Sequence, residues 1–168
     1  MDIKQKFMKQ ALKEAEKAYN KNEVPVGCVI VKEGKIIARG HNLKETKNDT
    51  THHAEIITIK KASKKLKSWR LIDCEMYVTL EPCSMCAGAI INSRIKKIHI
   101  GAMDEKTGAC GSVLNLLQDY KFNHKVELET GTLEQDCEKI LKSFFKKLRE
   151  EKQKNKEKAK EWIKWKSF

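Results

Sequence analysis

At 168 residues the chain has the length of one domain with a substantial core. Thirty-five basic residues against 23 acidic give a net charge of +12, a balance that suits either a polyanionic partner or a merely lysine-rich surface. No apolar run approaches the roughly 20 residues a membrane span needs, the charged N-terminus lacks the apolar core of a signal peptide, and six cysteines stand without a framework of spacings. Free thiols or metal ligands in a reducing compartment, the cytoplasm, are therefore expected rather than disulfides or a membrane.

The first predicted element is a helix from Asp2 to about Asn20, with Ile3, Phe7, Ala11, Leu12, Ala15, Ala18 and Tyr19 on one stripe and Asp2 as its cap. Val24-Pro25-Val26-Gly27 breaks that pattern. Cys28–Val31 and Ile36–Ala38 then read as a β-hairpin turning at Glu33-Gly34, and Asn42 opens a polar loop to Thr51. A second helix is expected from His53 to about Leu66, with Ile56, Ile57 and Ile59 on its apolar side. Met76–Leu80 reads as a buried strand, Pro82 as the first position of a helix to about Asn92, and Ile95–Ile100 as a strand stopped by Gly101. After a loop over 102–112, a short helix over Val113–Tyr120 and a strand over Lys125–Glu129 are expected. A long helix begins near Leu133 and buries Leu133, Cys137, Ile140, Leu141, Phe144, Phe145 and Leu148. A hairpin followed by alternating strands and helices argues an α/β domain, a mixed sheet with helices on both faces.

From residue 151 the composition changes. Residues 151–168 hold seven lysines and three glutamates, then Trp162, Ile163, Trp165 and Phe168 within seven positions. This basic helical extension, set apart from a domain over 1–150, reads as a solvated helix, as an RNA contact through lysine and stacked tryptophan, or as a segment docking Trp162 and Trp165 on a partner subunit.

The chemistry concentrates in Pro82-Cys83-Ser84-Met85-Cys86 and His53-Ala54-Glu55. Two cysteines three apart at a helix start turn their sulfurs the same way, and the helix dipole favours the thiolate form. With His53 they make a three-ligand set, which leaves the fourth position of tetrahedral zinc open for water, the mark of a catalytic site. A redox dithiol would need neither His53 nor Glu55, and a structural zinc would need a fourth ligand such as Cys74, Cys110 or His99. Glu55 makes the site hydrolytic: its carboxylate can take a proton from activated water and return it to the substrate. His53 and Glu55, two apart, converge only if the site lies over the end of their helix. His52 is expected beside the site rather than as a ligand, and Cys28 and Cys110 as buried apolar residues.

His-x-Glu followed by Pro-Cys-x-x-Cys resembles the signature of the zinc-dependent nucleobase deaminases. The segments Asn22–Gly27, Thr51–Glu55, Trp69–Leu71, Tyr77–Gly88, Asp104–Gly108 and Phe122–His124 are similar, more narrowly, to the bacterial tRNA-specific adenosine deaminase family, over residues 3 to 150. That resemblance implies a cytidine-deaminase-like three-layer sandwich with a five-stranded sheet, a homodimer, and conversion of adenosine to inosine at the wobble position of a tRNA anticodon. It implies one zinc on His53, Cys83 and Cys86, with Glu55 as proton shuttle. Asn42 would bond the flipped nucleoside with help from the backbone of Ala54, and Val26 and Leu80 would line the pocket. Asp104, Lys106, Asn123, Phe145 and Arg149 fall where the family meets the anticodon loop. His52 departs from the small residue usual there. The alternatives are a deaminase of a free nucleobase or nucleotide, and a non-catalytic RNA-binding module with a structural zinc.

Overall fold

The computed structural model describes residues 2–166, with the backbone alone for 162–166. Five strands form one mixed sheet in the order β2-β1-β3-β4-β5: β1 (Gly27–Lys32), β2 (Lys35–His41), β3 (Cys74–Leu80), β4 (Lys97–Ala102) and β5 (Glu127–Thr130). β1 is antiparallel to both β2 and β3, whereas β3–β4 and β4–β5 are parallel. The hairpin turns at Glu33-Gly34, both at positive φ. The helices are α1 (Ile3–Asn20), α2 (Lys44–Lys47), α3 (Ala54–Leu66), α4 (Ser84–Asn92) and α5 (Glu134–Lys166).

The alternation along each strand separates two cores. Cys28 and Ile30 of β1 and Met76 and Val78 of β3 pack with Ala54, Ala62, Ala87 and Ile90 of α3 and α4. Val29, Val31 and Tyr77, on the other face, pack with Phe7, Met8 and Ala11 of α1 and Cys137 of α5. The result is three layers, with helices on both faces of the sheet.

Several local expectations are corrected. Asp2 precedes α1, but its side chain makes no capping hydrogen bond. The polar loop after Asn42 contains the short helix α2, held by a distant carboxylate described below. Along α3 the buried residues are Ala54, Thr58 and Ala62, small enough for close approach to the sheet, and Glu55, while Ile56, Ile57 and Ile59 are half-buried at its flanks. Pro82 lies outside α4, whose N-cap is Cys83. Val113–Tyr120 is a series of turns after a bridge between Cys110 and Asn115, not a helix. Gly101 does not end β4 but lies within it: a Cβ there would sit 2.3 Å from Cys137 Sγ, so the glycine lets α5 pack against the strand. Leu133, at φ 53°, precedes α5, and Phe145 is exposed on it. Trp162, Trp165 and Phe168 lie outside the residues whose side chains are described.

Gly27 marks the closest approach of the sheet to α1, on the side of the second core. A Cβ there would fall 1.9 Å from Ala11 O and 2.4 Å from Ala15 N, both backbone atoms of α1. Neither can yield without moving the helix, so Gly27→Ala is expected to destabilise the fold by about 3 kcal/mol, read as a lower denaturant midpoint at unchanged slope.

Candidate active site

Strand β3 ends at Leu80, and the chain runs through Glu81 and Pro82 into α4, while α3 starts beside it. Cys83 is the N-cap of α4 and His53 the N-cap of α3, both in extended backbone conformation. Their carbonyls accept the first intrahelical bonds, from Ala87 N at 2.8 Å and Ile57 N at 3.0 Å. Neither side chain caps its helix. Instead His53 Nδ1 stands 3.6 Å from Cys83 Sγ and 3.6 Å from Cys86 Sγ.

One ring nitrogen cannot donate a single proton along both directions. A metal explains the pair of distances: zinc bonds of about 2.3 Å to sulfur and about 2.0–2.1 Å to nitrogen, at tetrahedral angles, give an N···S edge of about 3.6 Å. Among the described residues the ligand atoms of His53, Cys83 and Cys86 form one potential metal group, all within 4.8 Å of one another. Cys74, Cys110 and His99 lie outside it. The donor set fits a tetrahedral ion with one position left over.

The protonation of the bare site fits ligation too. The Cys83 thiol is lowered to about 4, chiefly by a hydrogen bond from Cys86 and secondarily by His53. Cys86, as donor in that pair and buried, moves upward. His53 is raised, first by its bond to Cys83. Glu55, in the first turn of α3, is 4% exposed, and burial raises its carboxyl to about 7. A carboxyl poised there can accept and return a proton near neutral pH.

A cavity of about 210 Å³ opens over these groups. It is smaller than the roughly 300–1,000 Å³ of pockets that enclose drug-sized ligands, and suits one flat ring system with the rest of the ligand outside. Val26, Asn42, Ala54, Leu80 and Asp104 line it together with His53, Glu55 and Cys83. Asn42 is buried; its amide donates to Val24 O at 3.2 Å and accepts from Lys44 N at 3.1 Å. That leaves one N–H and one lone pair for a ligand.

Val24, Leu80, Asp104 and Thr107 also line a wider groove, which continues to Lys106 and to Phe145 on α5. The structure thus brings Lys106 and Phe145 to the mouth of the cavity. Arg149 lies exposed one turn further along α5, and Asn123 is exposed in the loop before β5, lining neither cavity nor groove. His52 is turned away to Asp49 Oδ2 at 2.8 Å. Cys28 and Cys110 are fully buried, and all six cysteines are free.

The sequence reading assigned no role to Glu81. It is 3% exposed and accepts from the N–H groups of Asp104 (2.8 Å), Cys110 (2.9 Å) and Ser112 (3.0 Å), and from the Ser112 hydroxyl. One carboxylate thereby holds the whole 104–112 wall of the cavity. A lone glutamate between a strand and a proline carries no spacing signal; its apolar surroundings, Leu80 and Pro82, were the available clue. Glu23, fully buried, likewise receives Glu45 N and Thr46 N and so fixes α2, whose first residue Lys44 lines the cavity.

This fold, with a three-ligand metal set and a buried carboxylate over one small cavity, defines a deaminase, and the family model described as MafB19-like deaminase matches residues 2–149. The chain belongs to that deaminase class and, within it, to the tRNA-specific adenosine deaminase family. The Bacillus subtilis tRNA-specific adenosine deaminase is 51% identical over 146 residues, 87% of this chain and 91% of the relative. That of Haemophilus influenzae is 47% identical over 152 residues, covering 90% and 88%. A chain solved in a study of A-to-I editing by tRNA:A34 deaminases at the wobble position superposes with a TM-score of 0.78 at 41% identity, over 81% of this chain and 99% of that one. A Bacillus subtilis guanine deaminase matches over 58% of this chain and 63% of its own at 44% identity, with a TM-score of 0.56.

Replacing Glu81 by alanine removes the acceptor for four donors. The amides of Asp104, Cys110 and Ser112 are expected to lose hydrogen-exchange protection, with a stability loss of about 2–4 kcal/mol.

Proposed function

We propose that the chain deaminates adenosine to inosine at the wobble position of a tRNA anticodon, consuming one water and releasing ammonia. Its relatives are named tRNA-specific adenosine deaminases and a similar solved chain comes from a study of A-to-I editing at the wobble position; the observation that supports the chemistry best is the buried Glu55 carboxyl beside the His53–Cys83–Cys86 set in one base-sized cavity.

His53, Cys83 and Cys86 hold one zinc ion. When bound, the ion supplies Lewis acidity that makes water a nucleophile at neutral pH. Glu55 takes a proton from the attacking water, delivers it to the purine ring nitrogen next to C6, and passes the second proton to the departing amine. Burial raises its carboxyl to about 7, so it can serve as base and then as acid. Val26 and Leu80 form the apolar walls against the base, and the spare amide groups of Asn42, with the backbone of Ala54, fix the nucleoside. A base inside a stack cannot reach Glu55, so the nucleotide must be splayed out, which single-stranded loops permit at low cost.

Asp104, Lys106, Asn123, Phe145 and Arg149 contact the anticodon loop around that base. Asp104, Lys106 and Phe145 line the groove that continues the cavity, and the net charge of +12 favours an RNA substrate. The working form is a homodimer in the cytoplasm. Residues 1–150 form the deaminase domain, and 151–168 are an extension outside the chemistry. Among the described residues no helix is long and apolar enough to cross a membrane. Deamination of a free nucleobase is the second reading, favoured by the likeness to guanine deaminase and by the size of the cavity.

The test incubates protein with bulk tRNA and with free purines and pyrimidines, and maps inosine by digestion and mass spectrometry. Inosine at position 34 of tRNA is expected; turnover of a free base at an equal or greater rate would overturn the assignment. Glu55→Ala is expected to lower kcat by at least about 10²-fold while zinc content stays at one per chain. Cys83→Ser is expected to lower zinc content itself, measured by metal analysis.

A further inference from the structure

Helix α5 runs without interruption from Glu134 to Lys166, past the end of the family match at residue 149. Its first half packs on the sheet through Cys137 and on Tyr19 of α1 through the buried Phe144, but residues 149–161 are exposed throughout. One side of the packed half, including Lys142 and Phe145, lines the groove that continues the cavity. At 3.6 residues per turn, the ridge through Lys142 and Phe145 continues through Arg149, Lys152, Lys156 and Lys160, each three or four positions from the last.

Every glutamate of the outer half, Glu150, Glu151, Glu157 and Glu161, falls off this ridge. There Glu151 meets Lys147 at 3.9 Å and Glu157 receives Gln153 at 2.8 Å; Arg149, Lys152, Lys156 and Lys160, like Lys154 and Lys158, enter no ion pair among the described residues, so it is the absence of glutamate that sets the ridge apart. Lys154 and Lys158 lie on the other side, about 200° round the helix from Lys152 and Lys156.

We propose that the ridge Lys152–Lys156–Lys160, continuing from the loop contact at Arg149, is a phosphate-binding arm that holds the paired stem of the RNA whose loop enters the groove. The inference rests on the RNA reading above and adds a second contact region to it. The groove already reaches Phe145, so a strand leaving it along α5 meets the ridge directly. From Arg149 to Lys160 the ridge spans roughly 16 Å at 1.5 Å per residue, enough to follow backbone beyond a loop. Cations placed singly at each turn position a polyanion through its phosphates, a contact that does not select sequence.

The test compares two charge-matched variants of the full chain, Lys152→Glu/Lys156→Glu on the ridge and Lys154→Glu/Lys158→Glu off it. Binding to a fluorescent anticodon stem-loop is followed by anisotropy across a salt series, and inosine formation is measured in parallel. The ridge variant is expected to bind roughly ten-fold more weakly near 150 mM salt, with the slope of log K against log salt smaller by about 2, and with kcat unchanged. The off-ridge variant is expected to stay within about two-fold of the parent. Equal losses in both variants, or no loss in either, overturn the arm. So does a change of sedimentation coefficient in the ridge variant alone, which would assign the ridge to a subunit contact. Ridge-dependent binding without any inosine would leave the arm standing and overturn the deaminase reading instead.

Discussion

Two helices, α3 and α4, must present their N-termini at one point, and most of this structure follows from that requirement. His53 and Cys83 occupy N-cap positions, where Ser, Thr, Asp or Asn would ordinarily bond a free N–H of the first turn. Each helix forgoes such a bond, at a cost of about 1 kcal/mol. What the arrangement gains is direction. N-cap side chains leave along the helix axis rather than from its flank, so residues of two separate helices can meet. The positive helix ends also favour thiolate at Cys83. The parallel pairing of β3 with β4 requires a crossover, and α4 is that crossover, so its N-terminus lies at the C-terminal end of β3.

Glu55 is caught between opposing effects at the same helix end. The dipole of α3 and the neighbouring His53 favour its ionised form, while burial favours the neutral one. Burial wins, and the carboxyl rises to about 7. The other buried carboxylates solve a different problem. Glu81 receives backbone N–H groups from the irregular 104–112 segment, and Glu23 those at the start of the short helix α2, which buries no side chain of its own. The walls of the cavity are thus held by hydrogen bonds to two buried glutamates in the links that follow α1 and β3. Irregular backbone can shape itself to a ligand and still be held in one place.

Regular elements were legible in the sequence because their periodicity reflects burial on one face, as in Phe7, Ala11, Ala15 and Ala18 of α1. The grouping of His53, Cys83 and Cys86 was legible because residue types and spacings of that kind carry their chemistry themselves. Elements defined by remote partners were not. Helix α2 depends on Glu23, some twenty positions earlier, and the turns over 113–120 depend on Glu81 and on the Cys110–Asn115 bridge. Gly101 looked like a stop because its local signal is the same whether a chain turns or another element packs across it; only Cys137 decides between them. Phe145 follows the buried period of α5, yet it is 43% exposed and lines the groove.

The two halves of α5 show how one element can serve both fold and surface. A lone helix of lysine, glutamate and glutamine would be marginal in water, since nucleating its first turn is unfavourable. Here the turn is already formed: Cys137 and Phe144 anchor the inner half in the core, and the outer half needs only propagation. Lysine, glutamate, glutamine and alanine have high helix propensity, and Lys147–Glu151 and Gln153–Glu157 add support four residues apart. The exposed half therefore keeps its shape without burying apolar surface, and its positive charges stay hydrated. A cavity of about 210 Å³ can recognise little more than one ring system. Recognition of anything larger has to lie outside it, and a rigid charged rod fixed to the same core is a physically economical place for it.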